Sequence, residues 1–156
     1  MLVFLDIDGV MVPANSWRQL ELLEDGFPAF SKRAVNALNK ILSASSAELV
    51  LITSHKAKYS IKEWENIFSR REVNINTVTT LPNNMDHLSR KDEFLYWFNA
   101  ENIKGNFIII DDDKSLNALP DTLKRKLIQT SSSVGLTDYL ADEALKIIAL
   151  SEGEIV

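Results

Sequence analysis

Two aspartates near the start of the chain are the residues whose types and spacing first suggest chemistry. In the stretch FLDIDGV, Asp6 and Asp8 follow an apolar run and precede Gly9. Side chains two residues apart in extended backbone project to the same side, so the two carboxylates lie close together and repel each other. A cation or a retained proton relieves that repulsion, and Gly9 lets the backbone turn tightly and approach a ligand. The stretch therefore indicates a metal or acid–base site.

Two further polar clusters also follow apolar runs. The segment TSHK (53–56) comes after ELVLI, and DDD (111–113) comes after FIII. Ligands of open parallel sheets bind beyond the carboxyl ends of the strands, so all three clusters are expected at one edge of the sheet. Helix caps or solvated loops would explain one acidic cluster, but they explain two at strand ends less well. These clusters offer mainly oxygen ligands, and such a set of ligands suits Mg²⁺. The candidate metal ligands are Asp6, Asp8, Asp111 and Asp112.

The segments that must position these residues alternate between strand and helix. Apolar runs predict strands at 2–7, 48–52, 74–81, 107–110 and 127–130. Helical spacing predicts helices at 32–42 after an N-cap at Ser31, around 61–68, at 89–100, and from Thr137 to Leu150. Strands that alternate with helices form right-handed βαβ units, which gives an α/β fold with a mainly parallel five-stranded sheet covered on both faces.

The length and composition of the chain are consistent with a single domain over 1–156. No internal repeat or linker divides it. The segment 13–30 is too long for an ordinary loop and is predicted to be a short insertion or flap at the site. Trp17, Phe27 and Phe30 are its candidate flap residues, and core packing is the alternative role, which is favoured for at least one of them.

Charge and cysteine content exclude several classes of protein. The net charge of -5 argues against broad, sequence-independent nucleic-acid binding, although a single nucleic-acid end remains an acceptable substrate. The chain has no cysteine, which excludes disulfides and thiolate metal sites. It has neither a bilayer-spanning apolar run nor the pattern of a signal peptide. We therefore expect a cytoplasmic protein that does not bind membranes.

The motifs FLDIDGV, LVLITS and FIIIDDD, in this order, resemble the haloacid dehalogenase (HAD) superfamily of Mg²⁺-dependent phosphotransferases. The short chain, the DDD ending and the GLT stretch (135–137) before the last helix are similar to the HAD domain of "Swiss Army knife" RNA repair proteins. The resemblance covers most of the chain. It implies a three-layer, Rossmann-like HAD fold with a minimal cap.

The resemblance also implies roles for the acidic residues. Asp6 would be the nucleophile that forms an aspartyl-phosphate, and Asp8 would be the general acid that protonates the leaving oxygen and then activates water. Mg²⁺ would be held by Asp6, by the backbone carbonyl of Asp8, and by Asp112 as first choice or Asp111 as second.

Two other implied roles stay open between neighbouring residues. The hydroxyl that binds a phosphoryl oxygen is Thr53, with Ser54 as the competing choice. The cation that balances the negative charge is Arg90 or Lys91: the helical register slightly favours Arg90, whereas the usual residue type favours Lys91. His55 is either a substrate contact or a partly exposed loop histidine.

The resemblance, with these residues in place, implies a phosphomonoesterase that acts on a phosphorylated substrate with Mg²⁺ as cofactor. A minimal cap leaves the site open and suits a bulky substrate such as an RNA or polynucleotide end. The alternatives are a nucleotidase acting on small nucleotides and a catalytically silent interaction module, against which the presence of both Asp6 and Asp8 speaks. A signalling receiver domain is discounted because no acid follows the third strand. The sequence leaves the oligomeric state open.

Overall fold

The computed structural model describes residues 1–14, 20–82, 87–101, 103 and 105–153. The strands are β1 (Leu2–Leu5), β2 (Glu48–Leu51), β3 (Val78–Thr80), β4 (Phe107–Asp111) and β5 (Leu127–Gln129). The helices are α1 (Lys32–Ser45), α2 (Ile61–Arg70), α3 (Arg90–Glu101), α4 (Asp121–Lys124) and α5 (Asp138–Gly153). The strands pair in parallel in the order β3-β2-β1-β4-β5. The predicted α/β class and parallel five-stranded sheet are confirmed.

Successive residues of the central strand point into two different cores, one on each face of the sheet. Val3 and Leu5 pack with buried residues of α1, α2 and α5. Phe4 packs on the opposite face, where its ring meets Phe94 of α3 edge to face at 5.1 Å between centroids. The strands β2 and β4 alternate in the same way. The fold therefore has three layers, and continuous apolar strands are what a sheet buried on both faces requires.

Two strands are shorter than predicted by two residues or more, whereas β2 and β5 each end one residue early. The first was predicted over 2–7 but ends at Leu5, because the three N–H groups after Gly9 turn back to the carbonyl of Ile7. The third covers only the last part of 74–81, because the N–H of Asn74 donates to a side chain of α1 at 2.8 Å instead of to a strand. Both differences come from local turns, whose positions the pattern of apolar residues does not predict.

Hydroxyl side chains cap three helices at or near their predicted starts. Ser31 Oγ accepts an N–H of the first turn of α1 at 3.1 Å, and Thr137 Oγ1 accepts one from α5 at 3.2 Å. Ser89 Oγ accepts the N–H of Asp92 at 3.1 Å at the start of α3. These bonds satisfy donors that have no partner within the helix. Among the described residues there is no helix whose length and hydropathy would let it span a bilayer.

Arg71, directly after α2, holds part of the irregular segment between β1 and α1. Its side chain is 2% exposed and donates to both carboxylate oxygens of Asp25, at 2.7 and 3.0 Å. It also donates to the carbonyls of Phe27, Pro28 and Ile67, at 2.7, 2.9 and 2.9 Å. All five N–H groups of the guanidinium are therefore used.

The aromatic residues of this segment that the structure describes pack into the core. Phe27 is 3% exposed, and Phe30 packs against the same cluster. The Arg71 guanidinium lies over both rings, 5.4 and 5.2 Å from their centroids. The alternative role of core packing is therefore confirmed for Phe27 and Phe30. Trp17 lies outside the described residues, and the flap over 13–30 stays a prediction.

Candidate active site

The predicted polar clusters meet at one edge of the sheet because β1 ends at the same register position as β2 and one position before the end of β4. Leu5 pairs with Leu51 of β2 and with Ile110 of β4. The residues that follow these positions therefore lie side by side at the edge of the sheet. The N–H of Asp6 still donates to the carbonyl of Ile110 at 3.0 Å, so Asp6 lies next to Asp111 at the end of β4.

Three aspartates form an acidic cluster at this edge. One carboxylate oxygen from each of Asp6, Asp111 and Asp112 lies within 4.8 Å of the others. Asp6 is 3% exposed and Asp111 is 0% exposed, and Oδ2 of Asp111 is buried without a hydrogen-bond partner in the described part of the chain. Three hard oxygen donors with an unsatisfied buried atom fit a divalent cation such as Mg²⁺.

The two buried carboxylates are crowded enough to hold a proton. Burial, and after it the charge of Asp111, raises the pKa of Asp6 to about 9. Burial also raises the pKa of Asp111, to about 6, although the charge of Arg90 opposes this. Because the two groups interact strongly, the proton belongs to the pair and not to one residue. Binding of a divalent cation to the cluster would therefore displace the proton that Asp6 and Asp111 share.

Arg90, the first residue of α3, supplies the positive charge beside these carboxylates. Its guanidinium lies 3.4 Å from Asp111 Oδ2 and 3.6 Å from Asp6 Oδ1. Burial opposes its charge, but the surrounding carboxylates, led by Asp111 and Asp6, together outweigh burial and raise the pKa of Arg90. The neighbouring Lys91 lies with its ammonium 3.8 Å from Asp92 instead. Of the two candidate cations, the structure brings Arg90 to the acidic cluster.

Gly9 makes room for the third aspartate of the cluster. Its φ is +79°, and a Cβ atom at this position would lie 2.1 Å from Asp112 Oδ2. The N–H of Gly9 donates to Val12, and its carbonyl accepts the hydroxyl of Thr130 at 2.7 Å. The close approach that requires glycine here is thus to Asp112, and a contact of Gly9 with substrate stays a prediction.

Asp8 lies apart from the acidic cluster. Its side chain is 56% exposed, and Oδ2 lies 2.7 Å from Nε2 of His55, whose side chain is 26% exposed. Among the described residues, the carboxylate of Asp8 does not belong to the group formed by Asp6 and its partners. Metal binding by its backbone carbonyl stays a prediction. The two aspartates of the DxD motif therefore have different surroundings, one buried and crowded, the other open and paired with a histidine.

The two candidate hydroxyls also differ in their surroundings. Thr53 is 0% exposed, and its Oγ1 accepts the N–H of His55 at 3.3 Å. Ser54 is exposed and lines a cavity of about 480 Å³ together with Arg90. Both lie at the edge where Asp6 leaves the sheet, and the choice between them stays open.

The same cavity is bordered by a buried ion pair. Lys56 Nζ lies 2.8 Å from Glu93 Oε2, and the two side chains are 5% and 10% exposed. The backbone carbonyl of Lys56 accepts the indole N–H of Trp64 at 3.3 Å. A lysine this deeply buried requires an ionic partner. Glu93 lies about one turn after Arg90 on α3, and its charge is among those that raise the pKa of Arg90.

Sequence reasoning missed two supporting hydroxyls after β5. Thr130 bonds the carbonyl of Gly9, and Ser132 Oγ donates to Asp112 Oδ2 at 2.8 Å. They belong to the polar run TSSS (130–133), which follows the fifth strand at the same sheet edge. The rule that located the other three clusters would therefore have found this one. The ion pair of Lys56 and Glu93 has no comparable signal, because nothing local couples residues 37 positions apart.

Comparison with known proteins gives one family and several distant structures. The model of the HAD domain in Swiss Army Knife RNA repair proteins matches residues 2–141. No curated protein sequence matches the chain. The 3-deoxy-D-manno-octulosonate 8-phosphate phosphatase of Moraxella catarrhalis is 17% identical, with a TM-score of 0.49 over 99% of this chain and 90% of that one. A Vibrio cholerae protein proposed to be the same enzyme is 14% identical, with a TM-score of 0.50 over 95% and 84%. The Vibrio cholerae likeness shows a common fold.

Proposed function

The chain belongs to the family of HAD domains in Swiss Army Knife RNA repair proteins, and from this membership we propose that it is a Mg²⁺-dependent phosphomonoesterase. The observation that carries the proposal is the acidic cluster beside Arg90. Two buried carboxylates whose pKa values are raised lie 3.6 Å or less from one arginine, at the edge where parallel sheets bind ligands. Such crowding of buried carboxylates lowers the stability of the fold, as is expected at a site that binds a cation or a substrate.

The proposed reaction has two steps that use the two aspartates differently. First, a carboxylate oxygen of Asp6 attacks the substrate phosphorus, the bond from phosphorus to the ester oxygen breaks, and Asp8 gives its proton to the departing oxygen. Asp8 then takes a proton from water, whose oxygen attacks the aspartyl-phosphate. The bond between phosphorus and Asp6 breaks, and inorganic phosphate leaves. The buried position of Asp6 suits the nucleophile, and the open position of Asp8 suits proton transfer with substrate and water.

The remaining residues hold charge and orient the phosphoryl group. Asp6, Asp111 and Asp112 would hold Mg²⁺, which supplies neutralisation of the negative charge shared by nucleophile and phosphate. Arg90 balances the charge of Asp6 and Asp111. The hydroxyl of Thr53 or Ser54 donates to a phosphoryl oxygen at the start of the Lys56–Lys58 turn.

The substrate that family membership favours is a phosphorylated RNA or polynucleotide end. In the described parts of the connection between β1 and α1, residues 6–14 and 20–31, the chain forms turns and isolated bridges and no cap-like helix or sheet. An open site admits a bulky leaving group. The net charge of -5 means that only the end, and not a long stretch of backbone, would be bound.

A phosphatase assay tests this proposal. Wild type and Asp6→Asn are compared with Mg²⁺ and with EDTA on 2′-, 3′- and 5′-phosphorylated oligonucleotides, mononucleotides and sugar phosphates. Asp121→Asn, an exposed aspartate at the start of α4, is the matched control. We expect wild type and the control to release phosphate only with Mg²⁺, and Asp6→Asn to be inactive.

The outcomes separate the parts of the proposal. Equal activity of wild type and Asp6→Asn would contradict the role of Asp6 as nucleophile. Hydrolysis of mononucleotides in preference to oligonucleotides would replace the substrate proposed here by the nucleotidase alternative. No turnover of any substrate by wild type would overturn the enzymatic proposal in favour of an interaction module.

A further inference from the structure

His55 and Asp8 form a close contact between two loops that are far apart in sequence. Nε2 of His55 lies 2.7 Å from Oδ2 of Asp8, across 47 positions of the chain. A carboxylate can only accept a hydrogen bond, so the imidazole carries a hydrogen on Nε2 in this pairing. The contact occupies Oδ2 of Asp8, and the described part of the chain offers Oδ1 no hydrogen bond. Because Asp8 is 56% exposed, this bond is what restricts an otherwise open side chain.

The imidazole is itself held from two sides. Its ring meets the buried ring of Phe27 edge to face, with 5.7 Å between centroids and 85° between planes. Its backbone N–H donates to Oγ1 of Thr53 at 3.3 Å. His55 therefore contacts both a candidate phosphate-binding hydroxyl and the candidate general acid, while Phe27 fixes the ring from the core. A freely solvated loop histidine would have neither contact.

We propose that His55 is a positioning residue for Asp8: it binds Oδ2 and thereby fixes Oδ1 toward the oxygen that gains or loses the proton. This inference rests on the proposed phosphomonoesterase function. Proton transfer needs hydrogen-bond geometry within a few tenths of an ångström, and small misplacements of a catalytic group reduce rates strongly. Loss of the contact leaves Asp8 free to rotate in solvent. Both steps that use Asp8 then slow down, whereas attack by Asp6 is unaffected when the leaving group departs without a proton.

Three substitutions of His55 separate the hydrogen bond from the packing. His55→Phe keeps an aromatic ring against Phe27 but removes the donor. His55→Gln keeps an N–H donor near the position of Nε2. His55→Ala removes both, and Lys58→Ala, an exposed residue of the same turn, is the control. Equal melting temperatures of the variants show that comparisons are made on folded protein.

Burst and steady-state kinetics show which of the two reaction steps limits turnover. A p-nitrophenyl leaving group departs without being protonated, so the first step with p-nitrophenyl phosphate does not need Asp8. With this substrate, we expect His55→Phe and His55→Ala to release a burst of about one p-nitrophenol per site and accumulate phosphoenzyme, with steady-state turnover reduced roughly tenfold to a hundredfold. With an alkyl phosphate they lose kcat to the same degree without a burst. His55→Gln recovers most of the rate.

Other results would overturn the inference. If His55→Phe turns over both substrates like wild type and Lys58→Ala, the contact with Asp8 has no role in the reaction. If His55→Gln is as impaired as His55→Ala, or if the p-nitrophenyl burst is lost together with turnover, His55 acts on the fold or on Asp6. Failure of the proposed function itself is recognised separately, because wild type would then be inactive or Asp6→Asn would be active.

Discussion

Arg71 and Arg90 both lie beside aspartates, and they differ in how completely their hydrogen bonds are satisfied. Arg71 uses all five of its N–H groups at 2.7–3.0 Å, two of them on Asp25. Arg90 lies 3.4 and 3.6 Å from Asp111 and Asp6, and its Nη1 is buried without a hydrogen-bond partner among the described residues. The first arrangement is complete without a ligand, whereas the second retains unused donor and acceptor atoms.

The carboxylates beside these arginines are perturbed in opposite directions. Hydrogen bonds from Arg71 lower the pKa of Asp25 to about 2. Burial, followed by the charge of Asp111, raises the pKa of Asp6 to about 9 in spite of Arg90. Asp25 therefore stabilises the folded state at neutral pH, and Asp6 destabilises it. A pair that lowers stability at a sheet edge is characteristic of a functional site, and a pair that raises it is structural.

The largest effect is expected at Arg90, in activity. Arg90→Met should lower kcat/KM by roughly 1,000-fold, because a preorganised charge at a phosphoryl site contributes about 3–4 kcal/mol to the transition state. Lys91→Met should cost far less, since its ammonium lies by Asp92. Steady-state kinetics of the two variants checks this. A larger loss in Lys91→Met would mean that the wrong cation has been assigned to the cluster.

The next effect is expected at Arg71, in stability. Arg71→Met should lower the free energy of unfolding by about 3 kcal/mol, because it leaves a carboxylate and three carbonyls without their donor. Urea denaturation at about neutral pH measures this. Arg90→Met should destabilise the protein less, since its hydrogen bonds are incomplete. Equal destabilisation by the two variants would remove the distinction between the two sites.

A smaller effect of opposite sign is expected at Asp6. Without metal, Asp6→Asn should raise the free energy of unfolding by about 2 kcal/mol at about pH 8. The folded protein binds more protons than the unfolded chain between the ordinary pKa of 3.8 and the folded value of about 9. Stability of wild type therefore falls as pH rises through this window, and the advantage of Asp6→Asn grows with pH. Urea melts at several pH values test this, and a constant difference would contradict it.

The smallest effect is expected at Asp25. Asp25→Asn should lower the free energy of unfolding by about 1 kcal/mol at neutral pH, since it weakens two charge-assisted hydrogen bonds on a partly exposed group. Its folded pKa of about 2 lies below the ordinary 3.8. The stabilisation is thus complete above about pH 4 and is lost as pH falls toward 2. The stability difference from wild type should vanish over that interval, and a difference that persists in acid would point to packing instead.

The sequence predicted what local patterns determine. Apolar runs located the five strands, Ser31 and Thr137 marked helix starts, and the strand-end rule brought Asp6 and Asp111 to one edge. Each of these depends on residues that are close in the chain or on the general geometry of parallel sheets. The same rule applied to the fifth strand would also have found Ser132.

Contacts between distant loops were beyond sequence reasoning. The pairing of His55 with Asp8, and of Arg71 with Asp25, depends on how the loops fold back over α2 and β1. The choice between neighbouring cations depended on which face of α3 meets the sheet, and adjacent residues of a helix point about 100° apart. That angle is set by packing in the core around Phe94 and not by the residues at the start of the helix.

On this account, the cluster of Asp6, Asp111 and Asp112 exchanges a retained proton for a divalent cation when it binds Mg²⁺. Calorimetric titration of the metal-free protein with Mg²⁺ at about pH 7, in two buffers of different ionisation enthalpy, counts the protons released on binding. We predict that wild type releases close to one proton per Mg²⁺, and that Asp6→Asn releases almost none. Absence of Mg²⁺ binding by wild type, or binding without proton release, would contradict the claim.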